Sequence, residues 1–361
     1  MTHSSPLWSP DIAGLAPYTP GEQPHIANLV KLNTNENAFA PSPGVVAAIT
    51  DTAAQGLQLY PDPESTALRQ TIARYHALQP EQVFVGNGSD EILAHTFAAL
   101  LRHDNPLWLP DISYSFYPVY CNLYGVQSRT IALDTDYRIR VADYLPRNGT
   151  QAGGILIANP NAPTGCALAL DDLRTLVAGN PQCVVVIDEA YVDFGAESAV
   201  TLINDFPNLL VIQTLSKSRA LAGLRVGFAL GQAPLIEGLQ RVKNSFNSYP
   251  LDRLAQAGAV AALEDEAYFQ QHRRLIIENR HWLTAALTEM DFDVLPSQAN
   301  FIFARHPGQD AADLAAALRD KHILVRHFNQ PRIGQYLRIT IGTREQCHTL
   351  AQACAAILGQ P

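Results

Sequence analysis

Three stretches of nearly continuous apolar residues constrain the fold of this chain more than any other feature. They are GGILIANP at 153–160, CVVVIDEAY at 183–191 and NLLVIQTLS at 208–216. Strands of this kind lack the alternation of a half-exposed strand and are typical of a sheet that is covered on both faces. Because strand-like and helix-like stretches alternate from about residue 45 onward, we predict right-handed crossovers and a mostly parallel sheet, which is an α/β fold.

The pattern changes after residue 250, and this change divides the chain into an arm and two domains. Residues 45–250 are expected to form a large domain around the sheet. Residues 251–361 read as a long helical stretch followed by the short strands NFIFAR, ILVRHF and LRITIG, which indicates a smaller α+β domain. Residues 1–44 are rich in Pro and Gly, and we expect them to form an N-terminal arm that packs on the small domain or on a partner subunit.

Composition and charge argue against several classes of partner. The formal net charge is −9 and no block of Lys and Arg stands out, so we expect no binding to nucleic acid. No apolar run approaches the roughly 18 residues of a membrane span, and the N-terminal residues do not resemble a signal peptide. The five scattered cysteines show neither metal-ligand spacing nor a disulfide framework, which predicts a cytoplasmic protein without a metal site.

Four of the predicted strands end in polar or glycine-rich turns. QVFV is followed by GNGSDE, GGILIA by NPNAPTG, CVVVI by DEAY, and NLLVIQ by TLSK. Ligands of open α/β sheets bind at the carboxyl ends of the strands. We therefore expect the four turns to meet at one mouth of the sheet and to form a single binding site.

Two of these turns offer hydrogen-bond donors. GNGSDE has two glycines and then places Ser89 and Asp90 at the start of a predicted helix, where backbone N–H groups and the helix dipole favour an anion. Plain capping of the helix by Ser89 or Asp90 is the alternative. In NPNAPTG, the side chain of Asn161 is either a donor to a ligand or only part of a tight turn.

The other two turns bring opposite charges to the ends of buried strands. A buried carboxylate is costly without a partner, so Asp188 either binds a cation or caps the turn, and Tyr191 can hold a phenol over the same mouth. A desolvated lysine near other cations loses its proton and bonds to aldehydes, whereas a lysine on a surface loop stays solvated, and Lys217 allows both interpretations. An anion site, a carboxylate, a polar donor and a lysine together match the needs of pyridoxal 5'-phosphate.

Eight segments between residues 18 and 343 also carry a resemblance to a known family. They are LNTNENAFAPSP, YPDP, GNGSDE, DISYSFYPVY, NPNAPTG, DEAY, TLSKSRALAGLRVGF and YLRITIGT. On these segments the chain resembles the pyridoxal-phosphate-dependent aminotransferases of fold type I, and among them the histidinol-phosphate aminotransferase family. The resemblance implies a homodimer that transfers the amino group of L-histidinol phosphate to 2-oxoglutarate, a step of histidine biosynthesis.

The resemblance also implies roles for individual residues. Lys217 would bond to the cofactor and move the substrate proton, Asp188 would pair with the ring nitrogen, and Tyr191 would contact the ring hydroxyl. Tyr114 would stack on the ring. The residues implied for the cofactor phosphate are Gly88, Ser89, Asp90, Ser216, Arg225 and, from the partner subunit, Tyr60. Those implied for the anionic group of the substrate are Tyr18, Arg326 and Arg338.

One position departs from the pattern of the family. Relatives usually read NNPTG, and the residue directly before the proline contacts the ring hydroxyl, but Ala162 stands at that place here. We expect Asn161, one residue earlier, to take over this contact, although a shift of one residue changes the direction of the side chain.

The sequence motifs are also compatible with other functions of the same fold. An aromatic amino acid aminotransferase and a threonine-phosphate decarboxylase share the cofactor motifs, because substrate specificity lies in side chains that the motifs do not include. A protein of a different class, which binds the cofactor or another ligand without catalysis, is the third alternative.

Overall fold

The computed structural model describes residues 5–147 and 149–359, so residues 1–4 of the expected arm and 360–361 of the expected small domain lie outside the described part. The helices are α1 Pro43–Ala53, α2 Thr66–Tyr75, α3 Gly88–Leu100, α4 Tyr117–Tyr124, α5 Leu170–Ala178, α6 Ala233–Phe246, α7 Arg253–Glu264, α8 Glu266–Thr288, α9 Ala311–Asp320 and α10 Arg344–Leu358. The strands are β1 Val30–Lys31, β2 Val83–Asn87, β3 Leu107–Pro110, β4 Ser128–Ile131, β5 Gly154–Ala158, β6 Val184–Asp188, β7 Leu209–Thr214, β8 Val226–Gly231, β9 Asp293–Val294, β10 Phe301–Arg305, β11 Ile323–Leu324, β12 Arg326–His327 and β13 Leu337–Thr340.

The large sheet has the strand order β2–β8–β7–β6–β5–β3–β4. β8 runs antiparallel to both of its neighbours, and all the other strands run in one direction. Every residue of β5, β7 and β8 is buried, because an apolar core lies on each face of the sheet. The prediction of a mostly parallel α/β sheet with both faces covered is confirmed.

The direction of the strands brings several chain turns to one edge of this sheet. β2, β3, β5, β6 and β7 share one direction, so their carboxyl ends lie along the same edge. β8 runs the opposite way and therefore begins at this edge, directly after Arg225. Six chain turns thus meet where ligands of α/β sheets bind.

A second sheet, in the order β12–β13–β10–β9, is antiparallel. It packs with α8, α9 and α10 around a separate apolar core, which Leu32 of the arm also enters. The predicted strand ILVRHF is divided, because β11 pairs with β1 of the arm whereas β12 pairs with β13. The carbonyl of Leu32 accepts a hydrogen bond from the backbone of Thr340 at 3.0 Å, so the arm is joined to this C-terminal sheet.

The long helical stretch at the start of the C-terminal region consists of two helices. Asp265 separates them and caps α8, where its side chain accepts a hydrogen bond from the backbone of Tyr268 at 3.2 Å. Ala255 and Ala259 of α7 are buried in the same core as residues of α1, α2 and the large sheet. On packing, α7 therefore groups with the large sheet, although the expected division after residue 250 assigns it to the C-terminal domain.

Candidate active site

A cavity of about 190 Å³ lies between the carboxyl edge of the large sheet and the C-terminal sheet. This volume is many times what one water molecule needs, so the cavity is large enough for an organic ligand. The predicted site residues that line it are Tyr18, Ser89, Asp90, Tyr114, Asp188, Tyr191, Ser216, Lys217, Arg225, Arg326 and Arg338. The turns that follow four strands, the arm and two strands of the small sheet therefore face one another across this cavity.

Lys217 reaches the cavity from the loop after β7. Its Nζ donates a hydrogen bond to the carbonyl of Thr34 at 3.1 Å, and its own carbonyl accepts one from the Asn37 side chain at 2.8 Å. Burial lowers the pKa of Lys217 to about 8, with the guanidinium of Arg338 acting in the same direction and Glu36 opposing it. A large share of this amine is therefore unprotonated near pH 8 and can act as a nucleophile.

Asp188 is the last residue of β6, and it is buried at the floor of the cavity. Its carboxylate accepts a hydrogen bond from the Tyr117 hydroxyl at 2.7 Å and another from the backbone of Ala190 at 3.2 Å. Burial raises the pKa of Asp188 to about 6 in spite of these two hydrogen bonds. A cation in the cavity would restore the charged carboxylate, because an opposite charge lowers the pKa of an acid.

Two tyrosines lie beside this carboxylate. The Tyr191 oxygen accepts a hydrogen bond from the Asn35 side chain at 3.0 Å, and its ring packs nearly perpendicular to that of Phe301, with the centroids 5.0 Å apart. Tyr114 donates its hydroxyl proton to Asp90 at 3.2 Å. Burial raises the pKa of both phenols, so Tyr114 and Tyr191 stay protonated and keep a hydrogen to donate.

The start of α3 forms a compact anion site. Gly88 has φ +77°, and a Cβ at this position would lie 2.4 Å from Nη2 of Arg225, closer than side-chain atoms approach. The glycine therefore lets the guanidinium approach the first turn of the helix, where Arg225 pairs with Asp90 at 3.0 Å. Unpaired backbone N–H groups of a first helical turn, together with an arginine, favour a phosphate.

Two arginines form the opposite wall. Arg326 and Arg338 stand opposite each other in the antiparallel pair β12–β13. Both guanidinium groups lie near the ring of Phe328, at 5.5 and 5.4 Å from its centroid. Nη2 of Arg338 donates to the carbonyl of Asn33 at 2.8 Å, whereas its buried Nε has no hydrogen-bond partner in the described part of the chain. Because like charges directly across a sheet are destabilising, this pair favours an anionic ligand between the two.

Three of the predicted residues lie outside the cavity lining. Gly88 is directly behind it, against Arg225. Asn161 is buried, donates to the carbonyl of Ile112 at 3.0 Å and accepts from the Ser113 hydroxyl at 2.8 Å, while Ala162 lines the cavity instead. This position gives no support to the contact expected of Asn161. Tyr60 is 80% exposed and lies at the surface of this chain.

The residues present fit pyridoxal 5'-phosphate. The start of α3 with Arg225 matches its phosphate, the carboxylate of Asp188 matches its protonated ring nitrogen, and the amine of Lys217 matches its aldehyde. Among these features, the buried carboxylate of Asp188 limits the choice of ligand most, because a charge at the end of a buried strand is costly unless the ligand supplies a cation.

Several residues of the site are not among the predicted ones. They are Thr34, Asn35 and Asn37 of the arm and Tyr117 of α4. The segments LNTNENAFAPSP and DISYSFYPVY contain all four and are part of the family resemblance. The resemblance therefore points to these segments, but a motif alone does not give the direction of each side chain.

Comparisons with known proteins agree with this geometry. The profile of the family Aminotransferase class I and II matches residues 27–354. The histidinol-phosphate aminotransferase of Aromatoleum aromaticum is 62% identical over 98% of this chain and 99% of that protein. Histidinol-phosphate aminotransferase 1 of Bradyrhizobium diazoefficiens is 61% identical over 98% of this chain and 100% of that protein.

A solved structure has the same fold. Histidinol-phosphate aminotransferase from Sinorhizobium meliloti in complex with pyridoxal-5'-phosphate superposes with a TM-score of 0.83 and 25% identity, over 91% of this chain and 90% of that chain. The family profile and the identity to curated relatives both extend over nearly the whole chain. The chain therefore belongs to the class I and II aminotransferase family and, within it, to the histidinol-phosphate aminotransferases.

Proposed function

We propose that this protein transfers the amino group of L-histidinol phosphate to 2-oxoglutarate, which gives imidazole acetol phosphate and glutamate, in histidine biosynthesis. The observation that carries the proposal is the pair Arg326 and Arg338, which faces Lys217 across the cavity. Two guanidinium groups suit a substrate that carries a phosphate close to its amine, since arginine binds phosphate in a bidentate manner. The names of the relatives point to the same substrate.

Pyridoxal 5'-phosphate, when bound, supplies an aldehyde for the amine and a ring that withdraws electrons from the substrate carbon. Lys217 would take the proton from the substrate carbon and deliver it to the cofactor carbon that carries the aldehyde, because its lowered pKa leaves the amine partly neutral. Asp188 would hold the ring nitrogen protonated through a charged hydrogen bond. Tyr191 would donate a hydrogen bond to the ring oxygen, and Tyr114 would pack on the ring.

The two substrates carry different anions to the same site. Histidinol phosphate has a phosphate monoester and no carboxylate, whereas glutamate has carboxylates and no phosphate. Arg338 is held by the carbonyl of Asn33 and offers a fixed planar fork to either anion. Arg326 adds the second positive charge that a phosphate dianion favours. Tyr18 of the arm, whose ring packs on Phe116 with the centroids 4.8 Å apart, brings its hydroxyl to the same cavity.

We also propose that the protein is a homodimer in which Tyr60 contacts the cofactor phosphate of the partner subunit. Tyr60 stacks on Tyr249 at 4.7 Å, and it is exposed together with the nearby Leu57 and Leu59. An exposed group of large apolar side chains is typical of a protein interface. A two-fold dimer that buries this group is the commonest kind of assembly.

We place the protein in the cytoplasm. All five cysteines lie in the described part of the chain and none forms a disulfide, which supports a reducing compartment. Within residues 5–147 and 149–359, no helix combines the length and the apolar character of a membrane span.

A substrate screen on the purified protein tests the proposed reaction. Histidinol phosphate, aromatic amino acids and threonine phosphate are each offered with 2-oxoglutarate, and glutamate and carbon dioxide are measured. We expect the highest kcat/KM for glutamate formation with histidinol phosphate. A higher kcat/KM with an aromatic amino acid, or release of carbon dioxide from threonine phosphate, would identify one of the two alternative enzymes. A yellow protein that is inactive on every amine would indicate binding without catalysis.

A further inference from the structure

A short segment of the arm, residues 33–37 with the sequence NTNEN, touches the side chains that the proposed reaction uses. Four of its hydrogen bonds reach residues of the proposed reaction: Asn33 O with Arg338 Nη2 at 2.8 Å, Thr34 O with Lys217 Nζ at 3.1 Å, Asn35 Nδ2 with Tyr191 Oη at 3.0 Å and Asn37 Nδ2 with Lys217 O at 2.8 Å. The contact from Asn35 differs from the other three, because it joins two side chains, whereas each of the others involves a backbone carbonyl.

The Asn35 side chain is fixed in one orientation. Asn35 is 1% exposed, and its backbone N–H donates to the hydroxyl of Thr340 at 3.0 Å. The same hydroxyl gives its proton to Oδ1 of Asn35 at 3.0 Å, and the Asn35 carbonyl accepts from Asn300 at 3.0 Å. With its amide oxygen occupied, Asn35 presents the amide nitrogen to Tyr191. The Tyr191 oxygen is therefore an acceptor in this contact, and the phenol proton is free to point into the cavity.

One side of Tyr191 is apolar. In the described part of the chain, its ring packs with Ala162, Ala299 and Phe301. Ala162 brings only a methyl group to the cavity, and the side chain of Asn161 is engaged elsewhere. Within this apolar group, the hydroxyl of Tyr191 is the side-chain donor, so its orientation decides whether this side donates a hydrogen bond to a ligand.

We propose that Asn35 is a positioning residue that directs the hydroxyl proton of Tyr191 towards the ring oxygen of the cofactor. This inference rests on the proposed function, in which Tyr191 contacts that oxygen. The other charged and titratable groups that face Tyr191 are Arg338, Asp188, Tyr18, Tyr114 and Tyr117, and they are unchanged in the variants below. Asn35 borders the cavity as well, but its amide nitrogen is bonded to Tyr191 and its amide oxygen to Thr340, so it acts on a ligand through the phenol.

The test compares Asn35→Ala, Tyr191→Phe and the double variant. Two quantities are measured on each: the Kd of pyridoxal 5'-phosphate for the apo-protein, and the pH midpoint of the visible absorbance of the bound cofactor. A donor to the ring oxygen stabilises its deprotonated form, so loss of the donor raises the midpoint. For Asn35→Ala we expect a Kd about threefold to tenfold higher and a midpoint up to about one unit higher, as for one hydrogen bond.

Two further comparisons separate a positioning role from general support of the fold. The Asn35→Ala change is expected to add little in the Tyr191→Phe background, because the two residues then act through the same hydroxyl. Asn35→Asp replaces the donor with an acceptor that captures the phenol proton, and we expect it to raise the midpoint at least as much as Asn35→Ala. Asn180, another buried asparagine, donates to the carbonyls of Tyr144 and Leu176, and Asn180→Ala is the matched control for lost stability with an unchanged midpoint.

Each outcome has a defined meaning. If Tyr191→Phe raises the midpoint and Asn35→Ala does not, the inference is overturned while the proposed function stands. If Tyr191→Phe itself changes neither Kd nor midpoint, the proposed role of Tyr191 fails, and the inference fails with it. If Asn35→Ala does not fold, Thr340→Val removes the hydroxyl that orients Asn35, and the same rise of the midpoint is expected from it.

Discussion

At the scale of single residues, the lowered pKa of Lys217 leads to a prediction about pH. Below about 8 most of this amine is protonated, and above it most is neutral, so the rate at which cofactor attaches to the apo-protein is expected to rise with pH and level off above about 8. Stopped-flow absorbance between pH 6 and 9.5 measures this rate. A rate that still rises tenfold per unit above pH 9 would show that the amine titrates like an ordinary lysine.

Replacement of the same lysine tests its role in the reaction. Lys217→Ala loses both the nucleophile and the proton carrier, so transamination is expected to fall by several orders of magnitude while weak cofactor binding remains. Lys321, exposed beyond the end of α9, is the matched control, and Lys321→Ala is expected to keep the full rate. Retention of more than about a tenth of the rate by Lys217→Ala would rule out this role.

Asp188 is expected to make the affinity for the cofactor depend on pH. The carboxyl has a pKa of about 6 in the unliganded protein, so below this pH a proton has to leave before the ring cation can pair with it, and affinity falls as pH falls. Asp188→Asn removes this pH dependence and weakens cofactor binding by about tenfold to a hundredfold, which corresponds to the free energy of one charged hydrogen bond. Titration of the apo-protein with cofactor from pH 5 to 8 compares the two proteins, and equal affinities at pH 7 would make Asp188 a capping residue.

At the scale of elements, the register of β12 against β13 places Arg326 beside Arg338 and leads to a prediction about specificity. Arg326→Ala is expected to lower kcat/KM for histidinol phosphate by about tenfold to a hundredfold and to affect glutamate less, since a dianion loses more from one missing charge. Arg338→Ala is expected to impair both half-reactions. Single-turnover measurements with each substrate give the two values, and equal losses for Arg326→Ala would exclude it from the phosphate site.

The sequence predicts the long buried elements better than the short ones. β5, β6 and β7 are recognisable because continuous apolar runs have few other structures open to them. β8 is not among the predicted strands, because it contains two glycines and directly follows a loop. ILVRHF reads as one strand but joins two sheets, and that division depends on partners far away in the chain.

In the candidate site, too, the sequence predicts what local pattern determines and misses what long-range packing determines. Charged and glycine residues at strand ends are visible in the sequence, because the end of a buried strand is an unusual place for them. The Tyr117 hydroxyl on Asp188 and the Asn35 amide on Tyr191 depend on side-chain directions that only packing determines. Asn161 shows the same limit, since a position next to the cavity in sequence lies behind its wall in space.

At the scale of the whole molecule, the exposed position of Tyr60 leads to a prediction about shared sites. If Tyr60 serves the partner subunit, a hybrid of one Lys217→Ala chain and one Tyr60→Ala chain contains one site with both residues intact. The hybrid is then expected to show close to half of the normal activity, whereas each variant alone is impaired. Separately tagged chains isolate the hybrid, and light scattering checks that it is a dimer. A hybrid no more active than the parent variants would show that Tyr60 acts within its own chain.

The pairing of β1 with β11 also sets the order in which the protein is completed. Val30 pairs with Ile323, and Asn35 is held by Thr340, so the wall of the site nearest Lys217 joins two segments that are far apart in the sequence. Contacts between distant parts of a chain form late, because closing a long loop costs entropy before the contact stabilises it. During synthesis the large sheet emerges first, whereas the arm cannot form its pairing until β11 and β13 have left the ribosome. The site that receives the cofactor therefore takes shape only after Thr340 has been added to the chain.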